Sequence, residues 1–261
     1  MVHPFTQRQI MSKGENKISI EEEFENSVKS PINVYRGVIK IDHMNRCKEN
    51  NEDYYYIDTG YVGNFPSPGN TNGKKIWHRI VKNEMQLSTL RDVPSDRWDR
   101  LLEQDPRLEF KGRKNYDKKI LLVMPNPKAC RAYDIDYAEW CEKTTSDIKK
   151  YSDLPVEVRI KGSRTERNHG YSIYDAFDSG VYATVSLNSI ASLESVLYGI
   201  PSFVSVPCAA TPLANTDLSK LSDPFFPSKD IIEKHCRSLA YGQFTMKEIS
   251  EGTAWKILQK Y

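Results

Sequence analysis

The spacing of apolar and polar positions divides the chain near its middle. In the second half, KKILLVMPNP (118–127) is a compact apolar run closed by two prolines, as expected of a strand buried on both faces. DIDYAEWCEKTTSDIKKY follows and sets Tyr137, Trp140, Cys141, Thr144 and Ile148 on one helical face. VEVRIK alternates as a strand, and SIYDAFDSG forms a short helix ending at Gly180. VYATVSL, SIASLESVLYG and SFVSV then give strand, helix and strand. Strands alternating with helices at this spacing predict an α/β domain with a mainly parallel sheet, in which ligands bind beyond the carboxyl ends of the strands.

The first half is less regular. Residues 1–30 are charged and polar, which predicts an arm or a peripheral helix outside the core. INVYRGVIKI and DYYYIDTG are β-leaning runs, KIWHRIVKN is a third, and between the last two Gly60–Gly73 holds four Gly, two Pro and three Asn, a long loop. RDVPSDRWDRLLEQ predicts a short helix capped by Ser95, with Trp98, Leu101 and Leu102 on one side. The charged stretch 103–119 then looks like an inter-domain linker. The resulting division is an arm over 1–30, a first lobe over 31–115, a second over 116–245 and a C-terminal helix over 246–261, with Trp255 and Leu258 bracing the lobes.

Composition narrows the function. The 261 residues are 39% hydrophobic, and 37 Lys and Arg stand against 35 Asp and Glu, so no global field selects nucleic acid or an anionic membrane. No apolar stretch approaches the ~20 residues of a membrane span, and the first residues lack a signal-peptide core, so a soluble, cytoplasmic, non-membrane protein is expected. Five scattered Cys and five scattered His show no C-x-x-C or H-x-x-x-H spacing. Reduced thiols and no protein-held metal are expected, although a metal arriving with a phosphate ligand stays open.

The most informative segment is Val181–Val206. A buried strand runs into Asn188 and Ser189, small polar residues suited to capping a helix, and Gly199 and Pro201 end that helix. Ser189 and Ile190 would offer backbone N–H groups to an anion there. Arg159 and Lys161 close a strand upstream, and Arg164 and Arg167 follow in its loop, four cations at a carboxyl end. Glu194 stands in an otherwise apolar turn and could accept from ribose hydroxyls. Each feature also has a plainer explanation: an ordinary crossover helix, a solvated basic loop, a surface glutamate.

The run N-S-I-A-S-L-E-S-V-L-Y-G-I-P-S-F-V resembles the nucleotide-sugar motif of GT-B glycosyltransferases of the capsule-polysaccharide type. The segments D-T-G-Y, W-H-R-I-V-K-N, P-N-P, R-x-K-x-x-R and L-A-Y-G-Q-F-T-x-x-E-I-x-x-G-T-A-W-K-I-L are similar to tailed-bacteriophage proteins described as glycosyltransferases. The resemblance implies an α/β fold of two Rossmann-like lobes, compact for GT-B. The nucleotide-sugar donor, taken as UDP-linked, would bind the second lobe with no separate cofactor. Ser189 and Ile190 would then face the diphosphate, Glu194 the ribose, Arg159, Lys161 and Arg164 the leaving-group charge, and Thr211 the donor from the next loop.

An inverting reaction needs a base, and Asp58, at the end of YYYID, is the first candidate, with His78 and Asp42 behind it; Asp58 could equally be a turn cap. The phage association implies a hydroxymethylated pyrimidine in double-stranded DNA as one acceptor. Arg79, Lys82, Arg91, Arg97 and Arg100 could then line a backbone groove while Tyr61 or Trp98 stacks on an extruded base. A polysaccharide-building transferase and a non-catalytic nucleotide- or nucleic-acid-binding module are the rival readings. For a phage-encoded chain the compartment is the host cytoplasm.

Overall fold

The computed structural model describes residues 18–28, 30–64, 76–160 and 173–261. Among the described residues the fold is α/β with two four-stranded sheets. The first is built from β1 (Asn33–Arg36), β2 (Tyr54–Thr59), β3 (Trp77–Lys82) and β8 (Gln243–Thr245), in that order. It is mixed: β1 runs parallel to β2, while β3 is antiparallel to β2 and to β8. Helix α2 (Ile41–Glu49) makes the crossover between β1 and β2, in the stretch that the two β-leaning runs leave between them. Alternation along β2 sends Tyr55 and Ile57 to one face, where they pack with Ile80 and Phe244. Tyr54 and Tyr56 go to the other face, against Met44 and Cys47 of α2.

The first of these faces is covered from both ends of the described chain. Helix α1 (Ile20–Ser27), capped by Ser19, lays Ile20 and Phe24 onto it, together with Ala254 and Trp255 of α10 (Thr253–Lys260) and Ile249 of α9 (Met246–Ser250). Phe24 is fully buried, so α1 belongs to a core, contrary to its polar composition. Trp255 meets Phe24 and Tyr55 edge-on and Leu258 packs in the same cluster; the C-terminal helix thus seals the first sheet instead of bracing two lobes. Residues 243–245, placed with the second lobe on sequence grounds, are an edge strand of the first sheet.

The second sheet is parallel throughout, with order β5-β4-β6-β7: β4 (Lys119–Val123), β5 (Val156–Arg159), β6 (Val181–Ser186) and β7 (Ser202–Val204). Helices α4 (Pro127–Ala132) and α5 (Tyr137–Tyr151) pack Cys130, Trp140 and Ile148 against Ile120, Leu122, Ala183 and Val185. The opposite face receives α6 (Ile173–Asp178) and α7 (Ile190–Tyr198). Between α7 and β6 lies a row of fully buried hydroxyls. Thr184 donates to Ser195 (2.9 Å) and accepts from Ser202 (3.0 Å), and Ser186 pairs with Ser192 (2.8 Å). Small, mutually satisfied side chains let the helix sit close to the sheet without leaving polar atoms orphaned.

One hydrophobic cluster joins the two sheets. It holds Val81, Leu87, Trp98 and Leu101 from the first-sheet side, with Trp98 and Leu101 on α3 (Asp96–Gln104). Leu193, Val196 and Leu197 of α7 and Ile232, Cys236 and Leu239 of α8 (Lys229–Ala240) complete it. Arg97, 6% exposed, ties α3 to the C-terminal segment by donating to the carbonyls of Ala240 (2.9 Å) and Gln243 (2.7 Å) and pairing with Glu248. The stretch expected to be a linker is a docked strap: Lys111 N–H donates to the Leu197 carbonyl (3.2 Å) and Lys114 N–H to that of Gly199 (2.7 Å), at the end of α7.

Candidate functional site

In the second sheet, β5 lies on one side of β4 and β6 on the other, so the winding direction reverses between β4 and β6. A crevice opens at the carboxyl ends of the strands at such a switch point, and ligands of parallel α/β sheets bind there. The crevice is bordered by the turn after β4, capped where the Asn126 side chain accepts from Lys128 N–H, and by Leu187–Ser189 after β6. Ser189 is the N-cap of α7, with extended backbone, and Gly199 ends the helix in the left-handed region at φ 98°; the sequence expected both.

The N–H groups at this turn are partly used internally. Ser189 N–H donates to Ser186 Oγ (3.1 Å) and Ala191 N–H to Ser189 Oγ (3.2 Å). The backbone amide of Ser189 is therefore spoken for, which corrects its expected role as a direct anion donor; its hydroxyl holds the cap. Ser189 and Ile190 are half-buried at the edge of the crevice.

Arg159 is the last residue of β5, opposite Val123, and its carbonyl accepts from Met124 N–H (2.9 Å), so it stands at the same sheet edge. Lys161, Arg164 and Arg167 lie outside the described residues. Glu194 is half-buried on α7 and shares its surroundings with Tyr174 of α6 and with Arg107. Arg107 grips Asp105 with two parallel bonds of 2.7 Å, from Nε and Nη2. This pairing holds the Arg107 guanidinium above its ordinary range, with Tyr174 and Glu194 adding to it. Burial, then the Glu194 charge, pushes the Tyr174 phenol up. Sequence reasoning passed over Asp105 and Arg107 because they fall in the supposed linker. Thr211 turns inward: its hydroxyl accepts from Cys208 N–H (2.8 Å) and closes its own loop.

In the first sheet, Asp58 and Arg79 are register partners on neighbouring strands. Asp58 Oδ2 accepts from Arg79 (3.2 Å) and from Tyr56 OH (3.0 Å), and Oδ1 from Thr59 N–H (2.7 Å). Arg79 also donates to the carbonyls of Thr59 (2.7 Å) and Met85 (3.0 Å) and lies over the rings of Tyr56 and Tyr61. Asp58 keeps 39% of its side chain exposed, whereas Arg79 keeps 10%. The carboxylate is reachable and its cation is internal. His78 does not join this cluster. It alternates with Arg79 along β3 and pairs with Thr59 and Phe244, on the sheet face that packs on α1, α9 and α10. Asp42 is exposed in the first turn of α2.

Of the residues expected to grip nucleic acid, Tyr61, Arg79, Arg97 and Trp98 are inside the protein, whereas Lys82 and Arg100 are exposed and Arg91 is half-buried. Tyr61 is 1% exposed, and its hydroxyl accepts from Leu87 N–H (2.8 Å); burial raises its pKa to about 12. Trp98 is 5% exposed within the shared cluster. Neither can stack on an extruded base, and Arg79 and Arg97 are committed to internal partners. The amphipathic spacing around Trp98 signalled burial as readily as recognition, and burial prevailed.

The loop 83–88 connects the two halves of the site. Its Glu84 is held by Ser88 Oγ (2.7 Å), and burial raises its carboxyl above the usual range, partly offset by the Ser88 hydrogen bonds. Facing it across the junction, Tyr133 at the end of α4 donates to the Pro207 carbonyl (3.2 Å) beside Asn188, with Arg79 and Glu84 within electrostatic reach. Glu84 is a half-buried carboxylate that sequence inspection did not single out. Among the described residues no group of His, Cys, Asp and Glu is arranged to hold a metal ion, and no helix is long and apolar enough to cross a membrane.

No family model matches the chain, and no curated protein matches it in sequence. Solved structures similar to it include two from KpsC of Thermosulfurimonas dismutans. One is described as the beta Kdo 2,4 transferase, at 11% identity over 86% of each chain, with a TM-score of 0.48. The other is described as the beta Kdo 2,7 transferase, at 10% identity over 87% of this chain and 84% of that one, also with a TM-score of 0.48. Similarity at this level assigns no residue a role.

Proposed function

We propose that the protein is a glycosyltransferase that moves a sugar from a nucleotide-sugar donor to a hydroxyl of a saccharide acceptor. The observation that carries this reading is the switch-point crevice of the parallel sheet. There the capped start of α7, Arg159 at the end of β5 and Glu194 one turn into α7 lie along one edge, with Asp58 on the neighbouring sheet. The assignment is of the same class as the two transferases named above and does not rest on them.

In this reading the donor nucleotide lies along the start of α7, with Glu194 accepting from its ribose and Arg159 facing the phosphate charge that grows as the leaving group departs. Asp58 accepts the proton of the acceptor hydroxyl as its oxygen bonds to the anomeric carbon and the bond from that carbon to the donor phosphate breaks. Tyr56 and Arg79 hold the carboxylate in orientation, from inside the sheet. A saccharide acceptor is preferred to duplex DNA because the aromatic wedge and two of the proposed backbone cations, Arg79 and Arg97, are internal.

Incubation with a panel of nucleotide sugars and oligosaccharide acceptors tests the reading by release of free nucleotide. One donor should turn over, and its nucleotide should raise the melting temperature. Glu194→Ala should raise the KM for that donor about tenfold or more and leave kcat within a few-fold. No turnover with any donor, with an unchanged melting temperature, refutes the proposal. Transfer to duplex DNA, with affinity falling steeply as salt rises, would restore the nucleic-acid acceptor.

A further inference from the structure

Gln86 sits in the loop after β3 and is 7% exposed. Both ends of its amide are used. Nε2 donates to the carbonyl of Asn188 (3.0 Å), immediately before the α7 cap, and Oε1 accepts from Ala209 N–H (3.1 Å), in the loop after β7. Ala209 is anchored in turn, because its carbonyl lies 2.6 Å from Nε2 of His235 on α8, a contact that requires the proton on Nε2. Burial lowers the pKa of this ring to about 4, so it is neutral at ordinary pH. The residues on either side of Gln86 face the other way. The Met85 carbonyl accepts from Arg79, and Leu87 N–H donates to Tyr61 OH.

Three consecutive residues thus connect the Asp58–Arg79 pair to both strand-end loops that follow β6 and β7. We propose that Gln86 is a positioning residue: its amide fixes the turn at the start of α7 relative to Asp58, so that the donor and acceptor sides of the site stay in register without a hinge between the sheets. A planar amide supplies an acceptor and a donor from one rigid group, and its loss would leave the buried Ala209 N–H and the half-buried Asn188 carbonyl without this partner. The proposal rests on the crevice being the donor site, but its structural half can be tested separately.

Two variants separate the two bonds. Gln86→Leu removes both, and Gln86→Glu keeps an acceptor for Ala209 and loses the donor to Asn188. Amide exchange, followed residue by residue on labelled protein, should quicken about tenfold at Ala209, Ser189 and Ala191 in the Leu variant. In the Glu variant it should quicken at Ser189 and Ala191 and not at Ala209. With the donor that the wild-type protein turns over, kcat should fall about tenfold in both variants, because the donor and Asp58 lose their register, while the donor KM stays within a few-fold. Unchanged exchange at all three amides in a natively folded variant overturns the proposal, as does an unchanged kcat. Should the Leu variant fail to fold, the Glu variant decides alone. Should the wild-type protein turn over no donor, the transferase reading fails and the exchange data still decide whether Gln86 positions the turn.

Discussion

Gly199 and Gly112 both have positive φ, 98° and 79°, yet their surroundings differ, and the contrast makes a sharp test of the strap that crosses the end of α7. A methyl group added at Gly112 meets nothing within 4 Å. One added at Gly199 would lie 1.9 Å from the Gly112 carbonyl oxygen, a backbone atom that cannot rotate away. Gly112→Ala therefore carries only the left-handed backbone cost of about 1–2 kcal/mol. Gly199→Ala carries the same cost and must also displace the strap, weakening the bonds from Lys111 and Lys114 to the end of α7, at about 1 kcal/mol each. The expected losses are roughly 3–4 kcal/mol at Gly199 against 1–2 at Gly112. Urea unfolding should show this as a lower midpoint at constant slope, and thermal unfolding as a drop of about 2–3 °C per kcal/mol. Equal losses in the two variants would mean that the strap is not pressed against the helix, and the account of 103–119 as a docked segment would be wrong.

Three further outcomes are expected. Asp58→Asn should cut kcat at least a hundredfold with the donor KM nearly unchanged, measured by nucleotide release; retained turnover would move the base to another carboxylate, Glu84 first. Arg97→Met should cost about 3–5 kcal/mol in urea unfolding, because it leaves Glu248 and two carbonyls without their cation, and adding Glu248→Gln should recover part of the loss. His235 titrates near 4 when folded against an ordinary 6.5, so the unfolded chain takes up a proton first as pH falls. The stability its neutral ring contributes is whole above about pH 6.5 and lost progressively down to about pH 4, some 3 kcal/mol in all. A pH series of unfolding midpoints that is no flatter for His235→Gln than for the wild-type protein would count against this.

The second sheet was legible because its signals are local. KKILLV is apolar enough to be a strand buried on both faces, and Ser189 and Gly199 bracket α7 by chemistry that acts within one turn. The first sheet was only partly legible, since its last strand comes from residues 243–245, and nothing in Gln-Phe-Thr names a partner more than 160 positions earlier. The site divided in the same way. The placement of Asp58 at a strand end and of Arg159 and Glu194 near the parallel edge could be read from periodicity. The burial of Tyr61, Arg79 and Trp98 could not, because a cation or an aromatic ring on one side of an amphipathic segment looks the same whether it meets a ligand or another lobe. Gln86 carried no signal at all; its importance comes from where Asn188 and Ala209 arrive.

The pairing of β3 with β8 also bears on how the chain is made. During synthesis β3 can pair with β2 soon after it emerges, but its other edge stays open until residues 243–245 leave the ribosome. At roughly 5–20 residues per second, that interval lasts on the order of ten to thirty seconds. Throughout it, the strand WHRIVK presents unpaired backbone groups to solvent beside an apolar face not yet covered by α9 and α10. The nascent protein is therefore most exposed to misassociation late in translation, when most of its sequence already exists, and a chaperone that shields this edge would raise yield more than one acting on the parallel sheet.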